Sequence, residues 1–336
     1  MESKPAGDDP SPLAAVASSF PLLVYDHGEP PEIRQTVLSV ADESIRTFQV
    51  PEMCRYTCLE TPQGLVLMVD TASFHCWLWN PQTGEKTALP AMDEELPLHC
   101  RCLVSGAAAS SSPDPLVLVY DLERPRLLFC RARGGAAWAT QSYDMGLEEV
   151  PGRPTTERTI GEMAAVKGVF YYLESRDVVG ALAAVAAGGG DPEPCRMELA
   201  TFGATLPTLD TGEELTTTVT KAYLLESAGE LFLVCLFYLG CGMERVEEVG
   251  AYAMDFTKKE WVKVTDIGDA AFLLGHGGFA ASCNAVEHGL KMGACTLPWT
   301  FSGTAMITTS LISKKALVKS LGQTRIFPLC RSNPFG

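Results

Sequence analysis

Cysteine, histidine and glycine-rich turns are the residues here that most invite a chemical reading. Cys54 and Cys58 stand four apart, and His99-Cys100-Arg101-Cys102 places two thiols on one face of a strand. A structural zinc ion needs four ligands in tetrahedral reach, commonly supplied as two close pairs. Neither pair has the common two-residue spacing, so the expectation is buried thiols and no metal. Gly275-His276-Gly277-Gly278 has the composition of an esterase oxyanion-hole loop. That chemistry requires a Gly-x-Ser-x-Gly nucleophile turn, which the sequence lacks, so the segment is expected to be a glycine turn between strands. Gly188-Gly189-Gly190 has no following Lys-Ser/Thr and opens no helix, which leaves a flexible surface loop in place of a phosphate cradle. His27, His75 and His288 are isolated and receive no role. The expectation is therefore no catalytic, cofactor-binding or metal-binding residue and no cofactor.

The totals narrow the class further. The chain has 336 residues, 46% of them hydrophobic, enough to bury a substantial core. Its formal charge of -15 disfavours nucleic acid and anionic membrane by bulk electrostatics, while suiting basic protein partners. There is no apolar run of about 18 residues, so no membrane span is expected. Residues 1–19 mix Lys4 with Glu2, Asp8, Asp9 and prolines and lack an apolar signal core, which reads as a disordered leader in a cytoplasmic or nuclear protein. Twelve cysteines are scattered through apolar segments, which reads as reduced, buried small hydrophobes in place of a disulfide frame.

The elements that would position any site are short strands. Residues 221–269 hold four: 223–226, 230–237, 249–256 and 260–264, separated by the turn Ser227-Ala228-Gly229, a loop with the acids Glu244, Glu247 and Glu248, and the turn Thr257-Lys258-Lys259. The acidic loop would face solvent at a rim, where a basic partner could dock. Similar units follow one another upstream. Residues 20–26, 36–40 and 44–50 form a first, partial unit. Residues 57–60, 65–70, 74–79 and 85–89 form a second around Asn80-Pro81-Gln82-Thr83-Gly84, in which Pro fixes φ and Gly supplies a positive φ. Residues 99–105, 115–120, 126–131 and 137–142 form a third, followed by a polar connection over 146–159. Residues 162–166, 169–174, 177–187 and 196–200 form a fourth; 177–187 is rich in Ala and Val and alone would pass for a helix, but in this company it is assigned as a strand. Trp138 and Trp261 on return strands are expected to wedge between neighbouring units. Four strands repeating every 45–60 residues or so favour a radial array over a sandwich. The fold class expected is an all-β propeller of about five or six four-stranded antiparallel blades over residues 20–295, incompletely closed if the tail withholds its last strands.

The run Ala222-Tyr223-Leu224-Leu225-Glu226-Ser227-Ala228-Gly229-Glu230-Leu231-Phe232-Leu233-Val234 resembles a hallmark of the plant F-box-associated, KIB-type β-propeller family, long catalogued as a domain of unknown function. So do Lys259-Glu260-Trp261-Val262-Lys263-Val264 and Ile267-Gly268-Asp269-Ala270-Ala271-Phe272-Leu273-Leu274-Gly275, and the upstream Asn80–Gly84 turn with Leu89-Pro90 also fits. The resemblance covers roughly residues 20–295 and is strongest over 221–275. It implies a propeller that holds a substrate protein, joined in typical members to an F-box that docks a Skp1–cullin ubiquitin ligase. A leader this short leaves no room for an F-box, so a Skp1-type adaptor is not expected as a partner. The tail, 296–336, departs from the family's pattern. No acid follows Glu287, whereas Lys291, Lys314, Lys315, Lys319, Arg325 and Arg331 are all basic. An altered splice product or misread exon and a lineage-specific basic tail explain this equally well. Residues 310–321, which include Lys314-Lys315, have weak helical spacing, and the tail is expected to be poorly ordered or weakly packed.

Three functional classes remain. A non-catalytic protein-interaction module with an unidentified protein partner is favoured, because a repeat of blades meets no nucleophile, metal or phosphate motif. An enzyme with a site in the propeller mouth is the rival, since such sites are assembled from inter-blade loops that no local motif reveals. A non-functional splice or gene-model variant is the third.

Overall fold

The structure is a computed structural model; it describes residues 22–27, 34–39, 45–48, 53, 55–106, 114–149, 152, 154–186, 195–208, 218–239, 246–275, 278–299, 305–310 and 317–320, with backbone alone for the strands within 22–48 and beyond residue 295. Its regular elements are strands. β1 (Leu22–His27), β2 (Arg34–Ser39) and β3 (Ile45–Phe48) make a three-stranded antiparallel sheet. Blade I follows with β4 (Thr57–Glu60), β5 (Val66–Val69), β6 (Cys76–Trp79) and β7 (Lys86–Ala88), and blade II with β8 (Cys100–Val104), β9 (Leu116–Asp121), β10 (Arg126–Arg131) and β11 (Ala139–Ser142). A small hairpin of β12 (Leu147–Glu148) and β13 (Thr156–Glu157) occupies the connection that the sequence reads as irregular. Blade III is β14 (Met163–Val166), β15 (Val169–Leu173), β16 (Val178–Ala186) and β17 (Cys195–Gly203); blade IV is β18 (Thr218–Ser227), β19 (Glu230–Leu239), β20 (Val246–Asp255) and β21 (Glu260–Val264). The Ala/Val-rich segment is thus a strand, paired on both sides.

Blade V is built differently. Its order is β23 (Ala280–Asn284), β22 (Ala270–Leu274), β24 (Ala294–Trp299), β25 (Ala305–Ser310), β26 (Leu317–Ser320). The β22–β24 pair is parallel and the rest antiparallel. Leu317–Ser320 is therefore a strand where the sequence spacing is weakly helical. The remaining tail, the leader, Cys54, Cys241, Cys330, Gly188–Gly190, Glu244, His276 and Gly277 lie outside the described residues.

Strands β4, β8, β14, β18 and β23 touch in succession, so these five line the axis of a ring. This is a β-propeller, and its blades are held by apolar walls. Period-2 alternation sends successive side chains of a strand to opposite walls. In β19, Leu231, Leu233, Cys235 and Phe237 pack toward blade III, whereas Phe232, Val234, Leu236 and Tyr238 pack toward blade V. Leu103 faces blade III while Cys102 and Val104 face blade I. The middle strands are thus buried on both faces, which is why they read as unbroken apolar runs in the sequence. The return-strand tryptophans are wedges: Trp138 packs between blades I and II, its Nε1 donating to Pro90 O at 2.8 Å, and Trp261 packs between blades III and IV.

Turn chemistry sets the registers. Lys167-Gly168 and Ala228-Gly229 both have positive φ at each residue, the twist that two-residue hairpins need. In the longer turns Asn80 Oδ1 accepts from the backbone N–H of Gln82 and Thr83, and Asp255 Oδ1 accepts from Thr257 and Lys258.

Candidate functional site

The chemistry of this ring is concentrated on its axis, at the N-terminal ends of the inner strands. In β8, Arg101 stands opposite Tyr120 of β9. Its Nη1 donates to Gly161 O at 2.7 Å and lies 3.4 Å from Glu162 Oε2. Glu162 immediately precedes β14, held there because Thr159 Oγ1 donates to Leu122 O and the Ile160 N–H donates to Tyr143 Oη. In β18, Lys221 and Tyr223 share a face, two residues apart, and Lys221 Nζ sits 4.9 Å from the Tyr223 ring centroid. Blades II, III and IV thus each contribute one charged group. From blade V, Gly278, Phe279 and Ala280 complete a cavity of about 50 Å³ with Arg101, Tyr120 and Met163, and Leu59, Glu60 and Pro62 of blade I close it from the other side. The two ends of the ring meet at this cavity.

The electrostatics follow from burial. Arg101 and Glu162 each keep 22% of their side chains exposed. Loss of water pushes the Glu162 carboxyl up to about 7, against the opposing pull of Arg101 and Lys221. Loss of water also lowers Lys221, and the Arg101 charge adds to this while Glu162 works against it. Burial opposes the Arg101 charge as well, but Tyr120 and Glu162 more than offset it, so the guanidinium remains charged. Tyr120 and Tyr223 are both driven upward, chiefly by burial. The result is a carboxyl whose titration is raised toward neutrality by burial, under the opposing pull of two cations.

The residues singled out by sequence fall elsewhere. Cys100 and Cys102 lie in the wall between blades I and II with Cys76 and Cys130, whereas Cys58 packs beside Met68 and Trp79 in a separate cluster. Burial pushes the Cys100 thiol up to about 12 and Cys102 well above its ordinary value, which makes them inert. Among the described residues, no group of three His, Cys, Asp or Glu is placed to hold a metal ion. His75 contacts Ser73 and His99 contacts Glu123, both at the surface. The glycine segment 275–278 does connect two strands, β22 and β23. The acidic stretch is only partly loop: Glu248 lies within β20, where it takes a 2.8 Å ion pair from Lys263.

Sequence reasoning missed Arg101, Glu162 and Lys221. A usable signal exists: in each of three blades, a single charge interrupts the start of the apolar inner strand. It becomes visible only when the blades are aligned by their first turn.

The architecture defines the class as a β-propeller. The KIB1-4 beta-propeller family matches residues 37–294, and the chain belongs to it. No curated protein matches this chain. Among solved structures, BBS1N in complex with ARL6DN is 12% identical, covering 91% of this chain and 77% of that one, with a TM-score of 0.35. Hsv2 of Kluyvelomyces marxianus is 9% identical over 72% of this chain and 68% of its own, TM-score 0.34. Apo AztD from Citrobacter koseri is 10% identical over 89% and 94%, TM-score 0.34. At such scores these likenesses add nothing to the family assignment.

Proposed function

We propose that this chain is a non-catalytic protein-interaction module, offering a propeller surface to a protein partner as the substrate-binding propellers of plant F-box proteins do. The observation that carries this reading is the size of the axial cavity. About 50 Å³ accommodates water but falls well short of the several hundred Å³ that small-molecule sites enclose. The acidic surface fits a basic protein and disfavours nucleic acid or an anionic bilayer, and among the described residues no helix is long and apolar enough to cross a membrane. On this reading the chain works in the cytoplasm or nucleus, without a cofactor.

Proximity labelling of the full chain in its native tissue, followed by titration of the purified candidate, tests this. Saturable binding by the isolated chain is expected. The rival is an enzyme, and the observation favouring it is the shifted pair Glu162 and Lys221. A turnover by the purified chain that both Glu162→Gln and Lys221→Met abolish, with no saturable protein binding, would establish the rival.

A further inference from the structure

A large apolar side chain left in water needs no explanation when it stands alone; several gathered at one end of a domain mark a contact surface. Antiparallel strands reverse direction at every turn, so the turns of this ring fall at two ends. One end holds the connections between blades, 89–99, 143–162 and 265–269, and the turns 70–75, 122–125 and 174–177 between second and third strands. The blade V segment 285–293 joins them, since the Ala285 N–H donates to Asp269 O. The other end holds 61–65, 80–85, 105–115, 132–138, 167–168, 228–229 and 256–259. Leu98, Leu147, Val286 and Met292 are 70%, 63%, 62% and 53% exposed, and all four lie at the first end. At the other end the most exposed large apolar side chain among the described residues is Phe256, at 43%. Charge divides the same way. Among the described residues, the segments of the first end carry 15 acids and 4 bases, whereas those of the other carry 2 acids and 4 bases.

The two observations coincide at blade II. Leu98 lies just before its inner strand β8, and Leu147 opens β12, just beyond its outer strand β11. A four-stranded sheet is about 14 Å wide, so roughly five extended residues cross it. Residues 89–99, 122–125 and 143–149, which make this end of the blade, hold seven acids and one base. Asp93, Glu95, Glu148 and Glu149 are exposed, while Glu94 is taken up by Arg126 at 2.8 Å and Thr140 at 3.0 Å. We propose that this end of blade II, centred on Leu98 and Leu147, is the docking surface of the propeller, and that its occupant is a Lys/Arg-rich protein segment carrying apolar side chains. The leucines supply contact area from which water is expelled, and the acids around them attract a basic chain and repel an acidic one. A second copy of this chain would present the same acids and is disfavoured on the same ground. The inference rests on the interaction-module reading and adds to it the end of the ring that binds and the chemistry of what it binds.

Binding of two fluorescein-labelled peptides to the full chain, read by anisotropy at low salt, tests it. One peptide mixes Lys with Leu; the other replaces each Leu by Ser at unchanged charge. The Lys/Leu peptide is expected to bind saturably and about tenfold tighter than the Lys/Ser peptide. Leu98→Ser with Leu147→Ser should remove most of that advantage and leave the Lys/Ser peptide unaffected. Glu148→Lys with Glu149→Lys should weaken both peptides about tenfold, whereas Glu85→Lys with Glu230→Lys, the same change of charge at the opposite end, should change them less than about twofold. All six residues are exposed, so each variant is expected to melt with the wild type. No binding of the Lys/Leu peptide, equal losses in the two charge-reversed variants, or indifference to the leucine substitutions overturns the docking surface. A dimer in sedimentation that Leu98→Ser with Leu147→Ser breaks would give the surface to a second copy and overturn the basic occupant. Each of these results leaves the interaction-module reading standing; that reading fails by a different one, the lack of any saturable protein partner after proximity labelling.

Discussion

The walls between blades and the axis they surround meet opposite demands. A wall is apolar on both sides: Phe170, Leu182 and Tyr172 of blade III close against Leu118, Leu127 and Phe129 of blade II with next to no exposure. The axis gathers Arg101, Glu162 and Lys221, with Arg101 also on the wall of a cavity a water or two could fill. Burial of apolar area stabilises the ring at about 25 cal/mol per Å², whatever the order of the side chains, and needs no particular partner. The axial charges are held at a desolvation cost that their mutual attraction only partly offsets. The comparison teaches that the walls hold the ring and the axis conditions it.

That division predicts an order of effects. Phe170→Ala, in the wall between blades II and III, should lower the unfolding free energy by about 3–5 kcal/mol, read by urea denaturation. A smaller loss than that from any axial substitution would reverse the comparison. Gly278→Ala comes next, at about 1–3 kcal/mol, because the added methyl meets both a positive φ and the Glu162 carboxyl. Adding Glu162→Ala to Gly278→Ala relieves the clash but not the φ strain, so the double variant should recover about 0.5–2 kcal/mol in a cycle. Strict additivity would mean that the two residues do not touch. Trp138→Phe keeps the wedge but leaves Pro90 O without its indole donor, and should cost about 1 kcal/mol.

The walls were largely legible in the sequence, and the axis was not. Apolar runs such as Leu231–Tyr238, bounded by Ala228-Gly229 and closed by the Asp255–Lys259 turn, announce strands through local pairing and turn residues alone. The repeat then implies that strands stack into blades, and Trp138 and Trp261 stand out as wedges because nothing else that large sits on a return strand. Two features escaped. Blade V departs from the repeat, since β22 pairs with β24 in parallel after the excursion to β23, and no local signal encodes which strand a returning segment will choose. Arg101, Glu162 and Lys221 lie some 60 residues apart in sequence, and each alone reads as a charge at a strand end. Only the ring brings them together, and only burial then moves the carboxyl toward neutrality. The thiols drew attention for the opposite reason: Cys100-Arg101-Cys102 is a conspicuous local pattern, yet it shares an apolar wall with Cys76 and Cys130, where burial outweighs the pull of Arg126 on Cys100.

The smallest expected effect is the most discriminating. Lys221→Met replaces an axial cation by an apolar chain of similar length. Lys221 lies 4.9 Å above the Tyr223 ring, and partial burial already works against its charge. Its folded-state titration lies below the ordinary lysine value, so the contribution of its charge to stability is unfavourable at neutral pH and fades as pH rises toward that value. Removing it gives up the attraction to Glu162 and a cation–π contact, and gives back the desolvation. These terms oppose one another, so the net change at pH 7 should stay within about 0.5 kcal/mol of zero by urea denaturation. A loss of about 2 kcal/mol or more would place Lys221 among the groups that hold the ring, and the axis would then share the role assigned here to the walls.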